Sequence, residues 1–235
     1  MPNKIFNFIE GEVLLVDKPL GWTSFDVVNK IRSSIKQTLN IKKIKVGHAG
    51  TLDPLATGLL IICTGKFTKK IDSFQGLGKV YIGSMYVGAT TPSFDKETKV
   101  NQTFDTSSIS KNELLDALVK FTGDIEQTPP IYSAVKIDGK RAFEYARKNN
   151  EVKLKSRQVT IRKFDLLNFD LPEIDFLVDC SKGTYIRSLV NDFGMAINSG
   201  AYMSSLRRTS IGEYSVNDAY SVDEIIDIIT AQHQN

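Results

Sequence analysis

Long apolar runs are missing from these 235 residues. The longest uninterrupted one, Leu59 to Cys63, is far below the roughly 20 residues that a membrane-spanning helix needs. Met1 to Glu10 mixes lysine with apolar residues and has neither a continuous hydrophobic stretch nor a small-residue cleavage site, so no signal peptide is read and a cytoplasmic location is expected. Cysteine is scarce. Cys63 and Cys180 both lie in apolar, strand-like stretches, where buried free thiols are expected and neither serves as a nucleophile. Metal-ligand spacing is absent: His48 and His233 are the two histidines, the cysteines are distant, and the acids are scattered. Glycine spacing also excludes the common nucleotide motifs. Gly58 to Lys66 has too many residues between its glycines and no Ser or Thr after the lysine, while Gly76 and Gly78 lack a third glycine and precede a strand. No metal and no cofactor are expected.

What is present is ordinary for a globular chain: 41% apolar and 24% charged residues, in a length sufficient for one large domain with a sizeable core. The net charge of +3 is unevenly spread. After Gly212 come Glu213, Asp218, Asp223, Glu224 and Asp227 with no Lys or Arg, a tail expected to face away from any phosphate. Lys42, Lys43, Lys45, Lys66, Lys69 and Lys70 surround a single Asp53, and Lys136 to Lys163 holds ten bases against three acids. Such excesses fit either a phosphate-tracking surface or a solvated basic face.

Periodicity outlines the elements. Glu12 to Asp17 reads as a strand, then Thr23 with Asp26 forms a capping box for a helix to about Thr38, with Val28, Ile31, Ile35 and Leu39 on its buried face. Ile44–Val46 and Leu59–Thr64 read as strands flanking the loop Gly47 to Gly58. Lys79–Gly88 alternates as a strand covered on both faces. Ser110 and Glu113 cap an amphipathic helix ending near Gly123, followed by a long loop with Pro129 and Pro130, a strand Tyr132–Ile137, a turn at Asp138 and Gly139, and a basic helix Arg141–Lys148. Val152–Phe169 and Ile174–Ser181 read as a hairpin, Thr184 as the cap of a helix to about Asn198, Tyr202–Ser215 as a last strand, and Ser221 with Glu224 as the cap of a closing helix. The pattern is α+β, a largely antiparallel sheet flanked by helices.

The segment Gly47-His48-Ala49-Gly50-Thr51-Leu52-Asp53-Pro54-Leu55-Ala56-Thr57-Gly58 sets one acid among small and apolar residues. Glycines allow close approach of a ligand, and Pro54 fixes the chain beyond the acid. A reactive carboxylate fits this setting, and so does a plain Asx turn before proline. The ordered segments Val13 to Ser24, His48 to Gly58, Pro129 to Lys136, Gly139 to Arg147, Lys182 to Leu189 and Leu206-Arg207-Arg208 resemble the motifs of the bacterial TruB family of tRNA pseudouridine synthases, from about Glu12 to Tyr214.

The resemblance implies a pseudouridine synthase fold and a single catalytic domain over 1–235, with an RNA-binding insertion at about 121–150. A short acidic segment, 213–235, would stand in place of the family's PUA domain. It implies isomerisation of uridine 55 in the tRNA T-loop, with the base flipped from its stack and Asp53 as the catalytic carboxylate. Tyr81 would stack on the uracil, Arg187 with Tyr185 would match the motif whose arginine pairs with the aspartate, and Leu206 would line the uracil pocket. His48 would meet the T-loop, and Lys18 with Pro19 would support the active-site loops. Asp95 is a weaker match in a loosely matching segment. Expected partners are the tRNA T-stem-loop alone, with no DNA, membrane or guide RNA, for a monomeric enzyme. Whether Asp53 attacks the ribose, attacks the uracil or removes a ribose proton stays open, as does Tyr81 as a general base. The rival readings are an RNA-binding or RNA-folding protein and a guide-directed synthase subunit.

Overall fold

The apolar run Leu59–Cys63 forms the middle of a strand, Ala56–Thr64, that is buried on both faces. Its alternate side chains divide between two cores: Leu60 and Ile62 enter one, and Leu59, Ile61 and Cys63 enter the other. The computed structural model describes residues 6–137, 139–148, 152 and 154–231, and within it the chain divides into two compact units, 1–81 with 207–235, and 82–206. The strands Lys79–Val87 and Ala201–Ile211 each begin in one unit and end in the other.

In the first unit Ala56–Thr64 pairs antiparallel with Val13–Lys18, Leu14 opposite Ile62 and Lys18 opposite Gly58. Val46–His48 pairs antiparallel with its C-terminal half. Val13–Lys18 carries Tyr220–Ser221 on its other edge, in parallel. The helix Ser24–Thr38 has the expected capping box of Thr23 and Asp26 and buries Val27, Val28, Ile31 and Ile35. Together with Val222, Ile225 and Ile229 of the closing helix Val222–Ala231, this face completes the first core. Each such Ile or Val stabilises the fold by about 1.5–3 kcal/mol relative to exposure. The closing helix has the reciprocal Ser221 and Glu224 hydrogen bonds that its sequence announces.

The second unit is built on the strands Lys79–Val87, Glu173–Cys180, Arg157–Leu166 and Gly123–Gln127, adjacent in that order. The pairs Arg157–Leu166 with Glu173–Cys180 and with Gly123–Gln127 are antiparallel. The helix Ile186–Ala196 packs Phe193 against Phe164 and Phe121, and Phe164 meets Phe176 edge-on. The α+β class and the mixed, largely antiparallel pairing agree with expectation.

Several boundaries differ. Gly123–Gln127, read as loop, is a strand, because its backbone pairs with Arg157–Ile161. Tyr132–Ile137 is reduced to Lys136–Ile137, paired with Lys140–Arg141; Asp138 of the expected turn lies outside the described residues. The last strand breaks at Gly212 into a hairpin, Ile211 opposite Tyr214. Strand Lys79–Val87 is not covered on both faces: Ile82 is exposed, and Tyr86 is half-buried, stacked on Tyr202. The segment Gly65–Gly76, unassigned from its sequence, forms a 3-10 turn and a short helix.

Candidate active site

The loop carrying Asp53 is shorter than its sequence indicates, because Val46–His48 and Ala56–Thr64 extend pairing into both of its ends. What is left, Ala49 to Leu55, is held through its backbone at five of its seven residues. Ala49 N–H donates to Ile61 O at 2.8 Å, and Gly50 O accepts from Arg208 Nη2 at 3.1 Å. Leu52 N–H donates to Ser24 Oγ at 2.8 Å, and the same hydroxyl donates back to Leu52 O at 3.2 Å. Asp53 O accepts from Ala56 N–H at 3.0 Å, and Pro54 O accepts from Gly21 N–H at 2.8 Å. Leu52 is buried while Asp53 is half-exposed. A carboxylate that stays reachable is thus mounted on a backbone with little freedom, the arrangement that positioned chemistry requires.

Two buried cations lie behind this loop. Lys18 is completely buried at the end of its strand, and its Nζ donates to Pro19 O at 2.9 Å and Trp22 O at 2.6 Å. Burial lowers its pKa to about 8, opposed by the negative charge of Asp53 and reinforced by the nearby Arg208 guanidinium. Arg208, 1% exposed, donates from Nε to Leu59 O at 2.7 Å besides its bond to Gly50 O. Arg208 forces the identity of Gly58: a Cβ there would lie 2.7 Å from the Arg208 nitrogen and closer still to its carbonyl oxygen, at a φ of +102°. Arg207 forms a two-pronged ion pair with Asp17, at 3.0 and 2.7 Å. His48 is mostly buried on the adjacent strand, and desolvation, with Arg208 repulsion second, lowers its pKa below the usual value. Tyr81 is 8% exposed on the strand Lys79–Val87.

Within the second unit, Arg187 is buried in the first turn of its helix. Its Nη1 donates to Ser93 O at 3.0 Å and its Nη2 to Tyr132 O at 2.9 Å, with Asp95 Oδ2 at 3.5 Å from Nη1. Asp95, the weak sequence match, is 2% exposed and accepts from Glu97 N–H. The cap of this helix is Tyr185, not Thr184. Thr184 Oγ1 turns back to Ser181 O, and the buried Gln127 amide brackets Tyr185 instead, accepting from its N–H at 2.7 Å and donating to its O at 3.0 Å. The Tyr185 ring lies under the Arg157 guanidinium at 4.5 Å. Leu206 is 8% exposed on its strand.

The sequence profile described as "TruB family pseudouridylate synthase (N terminal domain)" matches residues 36–186, and that of the "tRNA pseudouridylate synthase B C-terminal domain" matches 187–235. The chain belongs to the TruB family. Among curated TruB proteins, the tRNA pseudouridine synthase B of Flavobacterium johnsoniae is 54% identical over 92% of this chain and 94% of its own length. That of Phocaeicola vulgatus is 55% identical over 92% of each. Of solved structures, the chain in the crystal structure of a Cbf5-Nop10-Gar1 complex aligns with a TM-score of 0.67 at 29% identity, covering 94% of this chain. The chain in a structure of an H/ACA RNP bound to a substrate RNA containing 2'-deoxyuridine gives 0.65 at 26% over 93%. The present chain spans about half the length of those solved chains, 54% and 53%. The TruB assignment carries with it a pseudouridine synthase fold and isomerase chemistry.

Of the sequence candidates, Lys18, His48, Asp53 and Tyr81 belong to the first unit, and Tyr185, Arg187 and Leu206 to the second. Ser24, Arg208 and Gln127 were missed as loop-holding residues. Their partners lie 28, 158 and 58 residues away, beyond any local pattern. One signal was present for Arg208: a basic pair in an otherwise alternating strand puts one of its members on a buried face.

Proposed function

We propose that this chain is a stand-alone, cytoplasmic tRNA pseudouridine synthase that flips uridine 55 out of the T-loop and isomerises it, with Asp53 as the catalytic carboxylate. The observation that carries the assignment is the fixed mounting of a half-exposed Asp53, with its neighbours Gly50, Leu52 and Pro54 each tied to a different element. The isomerisation breaks a C–N glycosidic bond and forms a C–C bond within one nucleotide, so it needs no external group donor. A base must leave its stack to reach such a site, at a cost of a few kcal/mol. Stacking on Tyr81 and apolar contact from Leu206 and Tyr185 offset part of that cost.

Lys18 acts as a positioning residue: its ammonium is spent on the Pro19 and Trp22 carbonyls, and its charge bears on Asp53. His48 meets the RNA as a neutral imidazole. Arg187 works from a fixed position, its fork held by the Ser93 and Tyr132 carbonyls. The insertion at about 121–150 and the basic stretch up to Lys163 follow the T-arm phosphates; Lys153 of that stretch lies outside the described residues. Independence from a guide RNA is favoured because the relatives matched nearly end to end, at 54–55% identity, are named tRNA enzymes. The H/ACA chains match at 26–29% over half their length. Incubating the purified chain alone, as a monomer, with unmodified tRNA and with its T-stem-loop hairpin tests this. Pseudouridine at position 55 in both is expected, and a requirement for an added guide RNA or protein would refute it.

A further inference from the structure

The lysine excess around Asp53 is not one surface. Lys66 is paired with Glu10 at 2.5 Å, and Lys70 lies over the Phe67 ring at 3.9 Å. Lys42, Lys43 and Lys45 instead join Arg32 and Lys36, from the last turns of the helix Ser24–Thr38, around an open cleft of about 450 Å³ that Ile44 also lines. Among the described residues five cations and no acid line it; the stems of these long side chains cover much of its wall while their charged ends reach solvent. None of the five forms an ion pair among the described residues. Arg32 and Lys36 are spaced i and i+4, where like charges weaken the helix. Among the described residues, the Arg32 guanidinium alone of the five has a polar side-chain partner, the amide oxygen of Asn29. The four lysines are exposed, and Arg32 also covers the face of the exposed Phe25 at 5.8 Å.

We infer that this cleft is a phosphate-backbone subsite for the RNA substrate, additional to the loop that carries Asp53. The inference rests on the proposed RNA chemistry and names a further part of the same substrate's binding surface. Lys45 directly precedes the strand Val46–His48, which feeds the Asp53 loop. At about 3.3 Å per residue the cleft lies roughly 13 Å from Ala49, so it takes phosphates a short way along the strand from the flipped nucleotide. Five cations with no acidic partner among the described residues, gathered around one open cleft, concentrate a positive field, and each phosphate they neutralise releases condensed counterions. The cleft therefore contributes affinity and salt dependence, not chemistry.

The test is the triple variant Lys36→Gln, Lys42→Gln, Lys43→Gln of the full chain, assayed on unmodified tRNA transcript. Each lost phosphate contact lowers the slope of log K against log salt by about 0.7–0.9, so the slope should fall by roughly 2–3. Between 50 and 200 mM salt, wild-type affinity should then drop about 20- to 40-fold more than that of the variant. The rate at saturating RNA should stay unchanged, and Lys66→Gln, already paired with Glu10, should leave the slope as it is. An unchanged slope in the triple variant, while the wild-type chain still forms pseudouridine, overturns the subsite alone. Absence of pseudouridine from the wild-type reaction overturns the proposed function instead.

Discussion

Replacing Ser24 by alanine tests how the Asp53 loop is held, because one hydroxyl serves both the N–H and the C=O of Leu52. Ser24 is 2% exposed and Leu52 4%, so water has little access to the groups left behind. An unpartnered buried donor costs about 1–3 kcal/mol, a substantial part of the roughly 5–15 kcal/mol that holds a domain folded. For a chain of this size each kcal/mol moves Tm by about 2–4 °C, so a fall of roughly 2–12 °C is expected. The clamps at Gly50, Asp53 and Pro54 do not involve Ser24, so the loop remains in place but opens more often. If the whole cost fell on loop opening, the competent fraction would drop by about 5- to 150-fold, which bounds the loss of rate. Calorimetry and single-turnover pseudouridine formation measure the two effects, while RNA affinity should not change because Ser24 does not reach the surface. A Tm within about 1 °C of wild type and a rate within about twofold, both below the cost expected for a buried donor without a partner, would show that Ser24 does not hold the loop.

Gly58→Ala should prevent stable folding or lower Tm severely, since the methyl would meet the Arg208 backbone at a left-handed φ; recovery of a protein of wild-type stability, measured by thermal unfolding, would refute that packing. Tyr81→Phe keeps the ring and removes the hydroxyl, so RNA affinity should be retained; a fully active variant in single-turnover assays excludes the hydroxyl as a general base. His48 has a lowered pKa in the fold, so the unfolded chain binds its proton first as pH falls below about 6.5. Its contribution to stability is therefore complete above that pH and declines as pH falls toward the depressed folded value. Denaturant midpoints from pH 7.5 to 5.5 should fall in wild type and flatten in His48→Gln, and identical profiles would contradict the assignment.

Local signals recovered what is locally determined. The capping boxes at Thr23 and Ser110, and the buried face Val28, Ile31, Ile35, are set by spacings of three and four residues, and the structure has them. The loop around Asp53 stood out as one acid among glycines and small residues, a pattern that an Asx turn fits equally well, so Asp53 was singled out by the resemblance of the ordered motifs. Element ends were less legible: Gly123–Gln127 looks polar and loop-like, and becomes a strand only through pairing with Arg157–Ile161. The same holds for the helix cap at Tyr185, where a glutamine 58 residues away replaces the local hydroxyl. The lysine excess was visible as composition, but its division into paired residues and an unpaired cleft depends on where Glu10, Phe67 and the helix end are placed.

The most direct measurement is pseudouridine formation by Asp53→Asn under single-turnover conditions, with enzyme in excess over unmodified tRNA and binding measured in parallel. The amide keeps the size of the side chain and the backbone clamps around it, so tRNA affinity should be preserved. The rate should fall by at least about 10²–10⁴-fold, the effect of removing a positioned catalytic group. Product formation at a near-normal rate by the asparagine variant would contradict the central claim that Asp53 performs the chemistry.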